Sequence, residues 1–104
     1  FTWNGVDPNG LEKLKRGMSL LKRAVCMPGQ HLKVSATKAD CDGKTVGDVR
    51  NKAIDGRPIK SALYDGVIPA RHVFLMGYHR HSYDSRYFGI VPFEWVQGVI
   101  RVYI

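Results

Sequence analysis

The chain has 104 residues, enough for one domain with a modest core. Its formal charge is +7 at pH 7, from 16 Lys+Arg against 9 Asp+Glu, which fits an anionic partner, a membrane surface or simply a soluble face. No basic block reaches the length of a nucleic-acid-binding arm, and no apolar run approaches the ~20 residues of a membrane span.

Taken in order, Phe1-Thr2-Trp3 is β-prone and begins abruptly, like the end of a strand whose first half lies upstream. Asn4-Gly5 signals a turn, and Asp7-Pro8 suits the opening of a short helix carrying Leu11, Leu14 and Met18, with Gly17 as its stop. Ser19 to Met27 predicts a strand closed by Pro28-Gly29. Alternation would place Lys22, Ala24 and Cys26 on one face and Leu21, Arg23, Val25 and Met27 on the other.

His31 to Ser35 alternates apolar and polar residues, and Asp42-Gly43 is a strong hairpin signal before Lys44-Thr45-Val46. Val49 to Lys52 is a further candidate strand, Asp55-Gly56-Arg57-Pro58 a turn, and Asp65-Gly66 another turn after Ser61 to Tyr64. Arg71 to Met76 is the clearest strand. Phe93 to Gln97 predicts a short turn or helix, and Val99 to Ile104 a closing strand. Short strands at turn-marked intervals, with one or two short helices, predict a mainly β, antiparallel domain that is part barrel and part sandwich.

Between the strand at Arg71 to Met76 and Ile90-Val91-Pro92 lies a run dense in polar groups: Gly77-Tyr78-His79-Arg80-His81-Ser82-Tyr83-Asp84-Ser85-Arg86-Tyr87-Phe88-Gly89. Buried polar groups need partners, so this run predicts a knot of hydrogen bonds held between two strands. Asp84 and Arg86 flank Ser85, and a local ion pair there would brace the turn that carries Ser82.

Lys22 has two readings. On a half-buried sheet it would be a solvent-facing side chain. Desolvated, its amine would fall from about 10.4 toward neutrality and could act as a general base for a hydroxyl. Ser19 and Lys22 form an S-x-x-K pair, but the K-T-G and S-D-N partners of penicillin-recognising enzymes are missing. His79 and His81, two apart with no acidic or thiol ligand at usual spacing, match a metal site poorly, and no metal or cofactor is expected. Cys26 and Cys41 suit a disulfide or two unrelated thiols, but neither a zinc site nor a C-x-x-C redox pair.

Two segments carry a family resemblance. Lys22-Arg23-Ala24-Val25-Cys26-Met27-Pro28-Gly29 resembles the box that holds the catalytic lysine of type I signal peptidases. Met76-Gly77, Arg80 and Ser82-Tyr83-Asp84-Ser85-Arg86-Tyr87-Phe88-Gly89 resemble that family's second box, in the same order. The wording of the second box is similar to the conjugative-transfer branch, whose members process pilin precursors or related secreted substrates.

The resemblance implies a serine endopeptidase with a Ser/Lys dyad that cleaves the leader peptides of precursor proteins. Lys22 would be the general base and Ser82 would orient its amine. Asp84, Arg86 and Gly77 would support the site, and Ser19-Leu20-Leu21 would form the edge on which an extended substrate lies. The family works at a membrane through an upstream anchor, on the periplasmic or extracytoplasmic face of the bacterial inner membrane. That setting favours pairing Cys26 with Cys41, and no nucleic-acid partner is expected.

The chain departs from the family where Tyr78-His79 follows Met-Gly and the loop to Ser82 is a residue shorter. It also holds no S-M-x-P segment, so the nucleophile and anchor are expected upstream of Phe1, and residues 1–104 would be the later part of one catalytic domain. The rival expectation is a non-catalytic, basic β-type binding module related to the family. A self-cleaving repressor fold, which also uses Ser and Lys, lacks the second box.

Overall fold

The structure, a computed structural model, describes Gly5, Pro8, Asn9 and residues 21–96. Among the described residues seven strands run in chain order: β1 (Arg23–Cys26), β2 (His31–Val34), β3 (Lys38–Cys41), β4 (Lys44–Asp48), β5 (Tyr64–Val67), β6 (His72–Met76) and β7 (Val91–Pro92). One short helix, α1 (Ser85–Phe88), lies between β6 and β7, and a single 3₁₀ turn (Phe93–Trp95) follows β7. The strands form two antiparallel sheets, one in the order β1-β6-β7 and the other β4-β3-β2-β5. The fold is therefore mainly β, and among the described residues no barrel closes.

The β3–β4 hairpin turns at Asp42-Gly43, both with positive φ (50° and 79°). This is the conformation the Asp-Gly pair supplies, because glycine pays no Cβ penalty there. β2 buries Leu32 and Val34 and exposes His31 and Lys33, as its alternating sequence requires. β6 is apolar from Val73 to Met76, where both of its faces are covered. Phe74 and Met76 pack with Cys26, Leu32, Val34, Ala39, Cys41 and Ile68. Val73 and Leu75 pack with Val91, against the partly buried Tyr83, Phe88 and Trp95. A third cluster joins Ala53, Ile59 and Tyr87. A disulfide between Cys26 and Cys41 ties β1 to β3, and hence one sheet to the other.

Several expectations need correction. The strand expected from Ser19 to Met27 is confined to Arg23–Cys26, and Lys22 lies just before it. A register irregularity between Ala24 and Cys26 breaks the alternation, so Ala24 is exposed while Cys26 is fully buried. Asp65-Gly66, expected as a turn, lies inside β5 opposite Lys33 and Leu32, where pairing with β2 overrides the local turn preference.

Val49 to Lys52 forms no named strand. Its amides find other partners: Val49 N–H donates to the Thr37 carbonyl and Arg50 N–H to the Tyr87 hydroxyl, while Lys52 makes an isolated bridge with Pro58. The expected 71–76 strand, the 55–58 turn and the short turn after Pro92 are present, while α1 was not foreseen. The expectations for Phe1-Thr2-Trp3, the helix after Asp7-Pro8, Ser19, Leu20 and the closing strand lie outside the described residues.

Candidate active site

The site is built on the end of β6 and the polar run that follows it. β7 pairs with β6 only at His72 and Val73, so the β6 amides further along need other acceptors. Side chains from the start of α1 supply them. Leu75 N–H donates to Ser85 Oγ at 2.9 Å, and Gly77 N–H donates to Asp84 Oδ2 at 3.0 Å. Ser85 and Asp84 thus continue the ladder by side chain where no strand is paired.

Asp84 is also the N-cap of α1, accepting from Arg86 N–H at 3.1 Å. The Arg86 guanidinium closes on the same carboxylate as a fork: Nε reaches Oδ1 and Nη2 reaches Oδ2, each at 2.8 Å. Asp84 is 0% exposed and Arg86 2%. The remaining donors of the guanidinium go to backbone, Nη1 to the Asp48 carbonyl at 2.7 Å and Nη2 to the Ser82 carbonyl at 3.3 Å. Arg86 therefore links α1 to the end of β4 and to the turn that carries Ser82. It stacks over the buried Tyr87 ring at 5.4 Å, and Arg50 approaches that ring at 5.6 Å.

Lys22, Ser82 and Gly77 meet in front of this pair. A Cβ at Gly77 would overlap Ser82 Oγ and Cβ and would lie 3.1 Å from Lys22 Nζ. The hydroxyl and the amine thus converge on the space that the missing side chain leaves open. Ser82 Oγ also accepts from His79 N–H at 3.3 Å. Burial pushes the Lys22 amine below its ordinary range; Asp84 opposes the shift and Arg86 adds to it. An amine so placed holds its proton loosely and can take one from a nearby hydroxyl.

Of the other predicted site residues, Leu21 precedes Lys22 and is 69% exposed, while Ser19 and Leu20 lie outside the described residues. His79 and His81 face each other with ring centroids 5.3 Å apart. Among the described residues no cluster of His, Cys, Asp or Glu could hold a metal ion, and no helix is long and apolar enough to cross a membrane.

The family model described as "Signal peptidase, peptidase S26" matches residues 6–104. The chain belongs to this signal peptidase family. Two curated relatives place it in the conjugative-transfer branch. A "Conjugal transfer protein TraF" of Agrobacterium tumefaciens (strain 15955) is 37% identical over 96 residues, covering 85% of this chain and 53% of the relative. A protein of the same name from Agrobacterium fabrum (strain C58 / ATCC 33970) is 36% identical over 84 residues, covering 79% of this chain and 47% of the relative. The chain spans about half the length of the curated relatives it matches. Its function is therefore related to that of signal peptidases.

Two features of this candidate site in the signal peptidase family member escaped the sequence reading. The Asp48 carbonyl that receives Arg86 is 38 residues away, and the Tyr87 hydroxyl that receives Arg50 N–H is 37 residues away. Neither has a local signature, because one partner in each bond is a backbone group whose identity no residue type encodes.

Proposed function

We propose that this chain supplies the general base and its supporting frame to a membrane-bound serine endopeptidase. The enzyme would cleave leader peptides from secreted or conjugative-pilus precursor proteins on the extracytoplasmic face of the membrane. The observation that carries this reading is the convergence of Lys22 Nζ and Ser82 Oγ on Gly77, in front of a buried Asp84–Arg86 pair.

The proposed nucleophile is a seryl hydroxyl from a segment outside these 104 residues. The neutral Lys22 amine would remove its proton as the oxygen attacks the scissile carbonyl, and would return that proton to the departing amine. Ser82 would hold the amine toward the nucleophile. Asp84 and Arg86 would act as positioning residues, fixing Gly77 and the turn of Ser82. β1, an outer strand of its sheet among the described residues, would receive the substrate as an added extended strand.

The test is processing of a pilin-type precursor by the full-length protein in membranes, followed by immunoblot. Lys22→Ala should abolish the size shift while the protein keeps its fold by circular dichroism. Normal processing by that variant would remove Lys22 from the chemistry.

A further inference from the structure

A cavity of about 280 Å³ opens beside Gly77. Arg23, Arg50, Arg80, Arg86, His79 and Asp48 contribute to its walls. The lining is unequal in charge: four arginines against one aspartate. Arg86 is neutralised by Asp84. Among the described residues no carboxylate pairs with the other three arginines.

Arg23 lies over the exposed Tyr78 ring at 5.6 Å, and Arg80 is exposed. Arg50 is committed through Nη1 to the Lys52 carbonyl at 2.8 Å and through Nη2 to the His81 carbonyl at 2.9 Å, yet its Nε is buried without a partner. Neither Arg23 nor Arg80 is engaged by a carboxylate among the described residues. Planar guanidiniums on several sides suit a carboxylate in particular.

We propose that this cavity binds a carboxylate of the polypeptide substrate, either an acidic side chain or a terminal carboxylate close to the scissile bond. The assignment rests on the peptidase reading, because it is the position of Gly77 that relates the two sites. Gly77 forms part of the cavity wall and is also the residue against which the Lys22 amine lies. A polypeptide passing Lys22 would therefore also pass the arginines. The proposed selectivity is for acidic substrates, set by Arg23, Arg50 and Arg80.

The experiment uses the full-length protein and alanine-rich reporter peptides in which a single Glu is walked along the chain, each paired with its Gln counterpart. A Glu-free peptide with a free or amidated C-terminus separates the terminal source from the side-chain source. At one position, or at the free C-terminus, the acid should improve kcat/KM about tenfold, mainly through KM. In Arg23→Gln/Arg80→Gln that ratio should fall toward one. In Arg80→Glu the preferred residue at that position should become Lys, which a merely misfolded protein would not produce.

Acid-to-amide ratios within about twofold everywhere, on peptides that are cut, would overturn the cavity assignment and leave the peptidase reading standing. If no peptide is cut, the peptidase reading fails by itself, and fluorescence anisotropy of the same pairs decides the cavity: an arginine-dependent preference for the acid supports it, and none overturns it. Arginine-dependent binding of phosphatidylglycerol vesicles without any peptide preference would also overturn it.

Discussion

The amine of Lys22 lies against Gly77, so close that a Cβ there would sit 3.1 Å from Nζ while overlapping Ser82. Gly77→Ala should therefore push apart the groups that its bare Cα lets converge. Misplacement of reacting groups by about 1 Å can cost on the order of a hundredfold in rate. We expect a loss of that order in kcat for precursor cleavage by the full-length protein, with a lowered melting temperature as well, because Ser82 must shift to admit the new Cβ. Turnover at the wild-type rate would show that the close approach is unnecessary.

Asp84→Asn should act through stability as well. It keeps a capping oxygen for α1 but leaves the Arg86 guanidinium buried without its counter-charge. Breaking a buried pair from one side costs about 3–5 kcal/mol, which urea unfolding at neutral pH would register. A shift below about 1 kcal/mol, the range of exposed pairs, would mean that water reaches the pair.

The lowered pKa of Lys22 has two consequences of definite sign. Only the neutral amine accepts a proton, so kcat/KM should rise with pH through the folded pKa, and that rise should come below the ordinary lysine value of about 10.4. The unfolded chain keeps the proton up to about 10.4, whereas the folded chain releases it earlier, so stability rises with pH between the two values. Lys22→Met should accordingly abolish cleavage yet stabilise the fold. The gain should be largest below the folded pKa and should vanish above about pH 10.4. Urea midpoints across this range check it, and a pH-independent difference would contradict it.

The Cys26–Cys41 bond joins residues 15 apart in sequence. On the chain-entropy model a loop of this length is worth about 3 kcal/mol. Cys26→Ala/Cys41→Ala should lower unfolding stability by about that amount, and reductant should do the same to the wild-type protein. An unchanged urea midpoint on reduction would mean that packing of β1 against β3 suffices without the bond.

The legible parts of the fold were those written in local chemistry. The Asp42-Gly43 hairpin follows from its turn residues, β2 from its alternation, and β6 from an apolar run covered on both faces. The Asp84–Arg86 brace was visible because the two residues are neighbours in sequence. Sequence reasoning failed where a non-local force decided the outcome. The irregularity in β1 comes from its pairing with β6, and Asp65-Gly66 was drawn straight by β2. The arginines of the cavity come from distant parts of the chain, so only their positive surplus was foreseeable, not their meeting place.

Because Ser85 and Asp84 accept from the Leu75 and Gly77 amides, the donors on the flank of β6 beyond β7 are already matched and offer nothing to a further strand there. Among the described residues β1 and β7 are the two outer strands of the three-stranded sheet, and Lys22 lies next to β1. The helix turn that braces the site thus also satisfies the donors that the short β7 leaves open.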